Sequence, residues 1–261
     1  MFWLLYAWIG ALAGVLAGLM GIGGGLVMVP ALLLLFSWQN IPSETLAHHA
    51  IATSLSAIIP IALASLLAHQ KKRAIDWRSM ALLTPGLVLG ALTGAALASR
   101  LSTPFLQGFF ALFLLLVAVQ IYFNRLPQTA GKNRRQRSLL PFAGFAIGHV
   151  SALIGIGGGT MTVPLLAWLG KPLPQAIATS AACGLPIALA GSLGFMLTGN
   201  TVSDFIHWKA ATVMALFAVF TAPWGAHWAH HLPVSGLRKM FALILVLVSL
   251  RLLFSSISAT P

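Results

Sequence analysis

No charged side chain occurs in this chain before Glu44. A run that long and that apolar is not a water-facing element; it has the length and character of membrane-buried chain. Inside it sits Gly21-Ile22-Gly23-Gly24-Gly25, followed by Val29-Pro30. Each glycine costs about 1 kcal/mol relative to alanine within a helix, so the helix is expected to break there. In hydrocarbon every backbone N–H and C=O must find an internal partner, so the break has to be sheltered by other parts of the chain. The same stretch returns as Gly155-Ile156-Gly157-Gly158-Gly159, followed by Val163-Pro164. Paired breaks of this kind in corresponding apolar segments point to a binding region at mid-membrane.

The rest of the composition agrees. Of 261 residues, 59% are hydrophobic and only 7% are charged, which implies an all-α polytopic membrane protein. The net charge of +12 does not imply nucleic acid as a partner. The basic residues cluster between apolar runs, chiefly at 69–78 and 124–138, and so mark those loops as cytoplasmic. A single cysteine, Cys183, excludes an internal disulfide and a cysteine-rich metal site. No cationic stretch precedes the first apolar run, so that segment is expected to be retained and not cleaved as a signal peptide.

The apolar segments follow one plan twice. In the first half they are Phe2 to Met20, Leu26 to Phe36, Ala47 to Ala68, Met80 to Ala98 and Phe105 to Phe123. In the second they are Leu139 to Leu153, Thr160 to Leu169, Gln175 to Leu197, Ala210 to Trp224 and Leu237 to Ser256. Residues repeat along with hydropathy. Ala50-Ile51-Ala52-Thr53-Ser54 returns letter for letter as Ala176-Ile177-Ala178-Thr179-Ser180, and Pro60-Ile61-Ala62-Leu63-Ala64 as Pro186-Ile187-Ala188-Leu189-Ala190. Ile75-Asp76-Trp77 matches Ile206-His207-Trp208. The expected organisation is therefore two homologous repeats of about four hydrophobic segments, 1–123 and 139–261, joined by a basic cytoplasmic linker at 124–138. The first segment of each repeat is broken at its glycine turn. If each broken segment crosses the bilayer, the repeats are parallel; if each is re-entrant, they are inverted. The piece after each break, about ten residues or 15 Å of helix, favours the re-entrant, inverted arrangement.

Successive N–H groups in a tight glycine turn form a nest for an anion, and a helix starting just beyond adds its positive end. Gly23, Gly24 and Gly25 with Gly157, Gly158 and Gly159 are the candidate ligand-binding backbone. Pro30 and Pro164 are expected in the first turn of the helix that follows, where no N–H is needed. Thr53, Ser54, Thr179 and Ser180 are candidate hydroxyl donors, with His49 and Gln175 one turn back on the same faces. The competing reading is that the glycines let helices pack closely and the hydroxyls bond within the protein. His149 is an ionisable group inside an apolar segment, a candidate for substrate contact or proton coupling. His48 and His49 are adjacent, and His227 and His231 have i, i+4 spacing, but no carboxylate or cysteine lies nearby in sequence to complete a metal site. No metal or other cofactor is expected. The only acids, Glu44, Asp76 and Asp204, lie in loops or at segment ends, so no buried acidic relay or hydrolytic carboxylate pair is in view, and an enzyme is not expected.

In these motifs the chain resembles the sulfite exporter TauE/SafE family of membrane permeases. The carrying features are the two glycine turns with their prolines, the two Ala-Thr-Ser stretches, His69 before Ile75-Asp76-Trp77, Pro85-Gly86 with Gly90 to Gly94, Ile206-His207-Trp208, and Pro223-Trp224-Gly225. One departure is His207, where the first repeat has Asp76. The resemblance implies a multi-pass protein of the bacterial inner membrane that carries a small sulfur-containing anion, such as sulfite or an organosulfonate, outward between the repeats. Its partners would be the lipid bilayer and that anion; a homodimer is compatible with the pattern. The alternative expectation is a metal- or cation-linked transporter using the histidines.

Overall fold

The computed structural model describes residues 2–20, 24–123, 139–198, 205–228 and 234–258. Gly21 to Gly23, the linker at 124–138, Asp204 and His231 lie outside them. Among the described residues there are ten α-helices and no strand: α1 Phe2–Met20, α2 Gly25–Trp38, α3 Leu46–Lys71, α4 Trp77–Ala98, α5 Thr103–Phe123, α6 Leu140–Ile154, α7 Gly159–Trp168, α8 Leu173–Thr198, α9 Trp208–Trp228 and α10 Val234–Ser258. Helices α3, α4, α5 and α8, with Lys239–Ser256 of α10, are long and apolar enough to cross a bilayer; α1, α2 and α6 hold shorter apolar stretches. This is the architecture of a multi-pass membrane protein. Trp3, Trp8, Trp38, Trp77, Trp208 and Trp224 are exposed near helix ends, where membrane-interface anchors sit.

Two seams of small residues tie the halves together. Gly86, Gly90 and Gly94 of α4 press against the backbone of Pro141, Phe145 and His149 on α6. A Cβ added at Gly90 would lie 2.1 Å from the Phe145 carbonyl oxygen. From the other side, Gly144 and Gly148 meet the carbonyls of Leu83 and Leu87, while on α1 Gly10 and Gly14 meet those of Met214 and Ala218 on α9. Membrane helices associate largely by such close packing, because lipid supplies no hydrophobic drive between them. In both seams the residue numbers rise together, so α4 runs parallel to α6 and α1 parallel to α9.

The central pair runs the other way. Ser56 Oγ donates to Ser192 Oγ at 3.2 Å, Gly191 lies against Leu55, and Gly184 lies against Ala62, so α3 and α8 are antiparallel. Gly108 near the start of α5 faces Ser256 near the end of α10, which makes these two antiparallel as well.

The segments on either side of each glycine stretch fold back on each other. Gln39 Nε2, at the end of α2, donates to the Tyr6 hydroxyl near the start of α1 at 2.7 Å. Likewise Leu140 and Phe142 at the start of α6 share a cleft with Trp168 at the end of α7 and the adjoining Leu169. Each pair is a helical hairpin; Gly155 to Gly158 join the arms of the second, and Gly24 and Gly25 open the returning arm of the first.

Candidate functional site

Helix α6 stops because Gly155 adopts a left-handed conformation, φ +73°. Its N–H and that of Ile156 turn back to the Ser151 carbonyl, as left-handed glycine caps do. Gly158 is left-handed too, φ +72°, and caps the start of α7. Its carbonyl accepts from the N–H groups of Met161 and Thr162 at 3.1 and 2.9 Å. The backbone between the helices is irregular, and residues 151–160 are all buried. Irregular backbone at membrane depth is tolerated where protein shelters it, and here protein does.

The helices begin earlier than the prolines suggest. Helix α2 starts at Gly25 and α7 at Gly159, so Pro30 and Pro164 fall inside them, not in the first turn as expected. The glycines themselves open the helices, and each proline sits more than a turn beyond.

The two tips meet. A Cβ on Gly25 would stand 2.9 Å from both the Gly155 carbonyl oxygen and the Ile156 Cα. Ser54 Oγ, on α3, donates to the same Gly155 carbonyl at 2.8 Å, and Ser180 Oγ reaches the Gly159 carbonyl at 3.4 Å. Gly24 is buried beside Ala13 and Met28. Gly157 lies against Ile58, and its carbonyl oxygen faces Gly184. Thus Gly24, Gly25, Gly157, Gly158, Gly159, Ser54 and Ser180 gather in one buried region; Gly23 falls outside the described residues.

The two threonines accept backbone N–H groups. Thr53 Oγ1 accepts the His207 N–H at 3.0 Å, and Thr179 Oγ1 accepts the Asp76 N–H at 2.9 Å. Each fully buried threonine pins the connection that leads into α9 or α4, in the opposite half of the chain. Asp76 then caps α4 by accepting from Ser79 and pairs with Lys171. Burial pushes the Asp76 carboxyl up, but the bonds from Lys171 and Ser79 outweigh it and hold the pKa below its ordinary value.

His49 lies 5.3 Å from His207, ring centre to ring centre, and the Phe36 ring packs against His207 at 4.6 Å, tilted by 38°. His48 bonds the Leu101 carbonyl at 3.0 Å. The His149 side chain turns to α4: its Nδ1 bonds the hydroxyl of Thr93, an exposed residue, at 3.1 Å. Gln175 is half-buried near the start of α8. Cys183 is fully buried. Among the described residues no group of three His, Cys, Asp or Glu could hold a metal ion; the His227 side chain and His231 are not among those described. The cleft between α6 and α7, about 230 Å³, is lined by apolar residues such as Leu139, Leu165 and Trp168, and holds none of these candidates.

Two residues at the second tip carry a signal that the sequence reading missed. Ser151 Oγ and Thr160 Oγ1 are buried and have no hydrogen-bond partner among the described residues. Ser151 Oγ lies 3.3 Å from where a Cβ on Gly158 would be, and Thr160 occupies the first turn of α7. Buried hydroxyls are ordinarily bonded, so two orphans at one broken backbone need a reason. A contrast in the sequence could have flagged them: the corresponding positions of the first copy are Ala17 and Leu26.

The family model described as sulfite exporter TauE/SafE matches residues 6–252. A probable membrane transporter protein of Haemophilus influenzae is 33% identical over 259 residues, covering 96% of this chain and 98% of the relative. Similar proteins of the same description occur in Methanocaldococcus jannaschii, 28% identical over 94% of this chain and 93% of the relative, and in Bacillus subtilis, 25% identical over 95% and 96%. No solved structure is a significant match.

Proposed function

Because the chain belongs to the sulfite exporter TauE/SafE family of membrane transporters, we propose that it carries a small sulfur-containing anion, such as sulfite or an organosulfonate, across the bacterial inner membrane. The substrate binds where the two hairpin tips meet. The observation that carries this reading is the pair of unpartnered hydroxyls, Ser151 and Thr160, beside a left-handed glycine turn that opens a helix. A helix start and a run of turn amides offer partial positive charge to an anion without an intramembrane arginine.

The helix directions support a two-repeat, inverted organisation for 1–123 and 139–261. Matching helices α3 and α8 are antiparallel, and the seams pair α4 with α6 and α1 with α9 at corresponding residues. In that arrangement the glycine hairpins are re-entrant from opposite sides, and alternating access comes from rocking one unit against the other around their tips. Leaving a cell that is negative inside gains a monovalent anion about 2.3 kcal/mol per 100 mV, so outward passage needs no further coupling when the concentration gradient permits.

The test is sulfite and methanesulfonate flux in proteoliposomes, with Gly158→Ala as the variant. A side chain at φ +72° is strained and would meet Ile187 at 2.4 Å, so flux should fall steeply. A folded Gly158→Ala protein with wild-type flux of either anion would refute the site, and absence of flux in the wild type would refute the substrate class.

A further inference from the structure

The electrostatics of this buried region limit the charge a ligand can bring. The buried polar side chains of the described chain are His48, Gln107 and serine or threonine hydroxyls; none is Lys, Arg, Asp or Glu. Every described Lys and Arg side chain is exposed except Lys171, which is committed to Asp76. What faces a ligand at the second tip is therefore a set of dipoles: the start of α7, the turn amides, and the hydroxyls of Ser151 and Thr160.

We infer, resting on the transport reading above, that the site takes a singly charged oxyanion of the R–SO₃⁻ or HSO₃⁻ kind and rejects dianions, with Ser151 and Thr160 donating to its oxygens. A helix start is worth about half an elementary charge. Attraction to fixed dipoles doubles when the ligand charge doubles, whereas the Born cost of leaving water rises about fourfold, with the square of the charge. Without a fixed cation the second term wins, and the dianion stays in water. The hydroxyls come from one hairpin only, since Ala17 and Leu26 stand at the corresponding positions of the first. The ligand's oxygens therefore face the α6–α7 tip, and its apolar or protonated end faces Gly25 and Ile58.

The experiment uses two anions whose charge does not change with pH near neutrality: methanesulfonate, a monoanion, and sulfate, a dianion. Uptake into proteoliposomes is measured at zero membrane potential, for the wild type, Ser151→Ala and Thr160→Val. The wild type should move methanesulfonate and not sulfate. Each variant should raise the half-saturation concentration for methanesulfonate about tenfold or more, the worth of a hydrogen bond to a charged group. Because each variant removes an unpartnered buried hydroxyl, it should melt no lower than the wild type. Equal transport of sulfate would overturn the charge selection and leave the transport reading standing. Unchanged half-saturation in both variants would overturn the roles of Ser151 and Thr160. No flux of either anion through folded protein would remove the transport reading, and this inference with it.

Discussion

Gly148→Ala tests the seam between α4 and α6, the most crowded contact between the halves. The added Cβ would lie 2.2 Å from the Leu87 carbonyl oxygen, 2.9 Å from the Leu87 carbonyl carbon and 3.0 Å from the Ala91 nitrogen. All three obstacles are backbone, so no side chain can swing clear. Ordinary contact begins near 3.4 Å, so the helices must part by about 1.2 Å (3.4 − 2.2) at that point. A radial gap of about 0.5–1 Å already forfeits a quarter to a half of a dispersion well, and Gly86, Gly90, Gly94 and Gly144 share the seam. Overpacking of this kind costs about 1–3 kcal/mol, and the absence of a soft neighbour argues for the upper end. Alanine returns about 1 kcal/mol of helix propensity, leaving a net loss of about 2 kcal/mol. Gly108→Ala is the control, because its Cβ meets only Ser256 at 3.5 Å or beyond; it should gain the propensity term alone. Thermal unfolding in detergent, at about 2 °C per kcal/mol for a chain of this size, should separate the two variants by about 6 °C. If they melt together, the close packing of α4 on α6 is not what holds the halves in register.

Gly25→Ala should slow transport more than it lowers stability, since its Cβ would reach Gly155 and Ile156 at 2.9 Å and hold the tips apart; flux and melting measured on one preparation decide it. Thr53→Val leaves the His207 N–H without its acceptor, and Thr179→Val does the same to Asp76. Each should cost about 1–3 kcal/mol, read by unfolding, and equal stability of either variant to the wild type would contradict the pinning role. Asp76 has a depressed pKa, so its contribution is present above its ordinary value of 3.8 and is lost as pH falls through the folded value. Asp76→Asn should therefore be less stable at neutral pH and show a flatter acid limb. His207 in the 205–207 connection is held below its ordinary 6.5 by burial. The unfolded chain takes up that proton first, so stability should decline as pH drops below about 6.5, and His207→Gln should remove this part of the decline.

The segments, the breaks and the clustering of basic residues were legible because lipid imposes them on composition. Which helix packs on which was not. The spacing of Gly86, Gly90 and Gly94, and of Gly144 and Gly148, announces close contacts without saying with what. Thr53 and Thr179 show the limit of reading hydroxyls from a helix face. Both are buried, and their oxygens receive backbone N–H groups from residues more than 100 positions away. His149 lay near a break in sequence, yet its position on α6 turns the ring towards Thr93. Ser151 and Thr160 escaped notice because symmetry was the guide, and they are where the two copies differ.

The crossed seams bear on how the chain is made. Helix α1 leaves the ribosome long before its partner α9, which begins only at Trp208. Until then Gly10 and Gly14 have no surface to close upon. A nascent chain released after residue 123 would hold α1 without α9 and α4 without α6, so neither half should mature alone. Co-expressed halves, in contrast, should rescue each other.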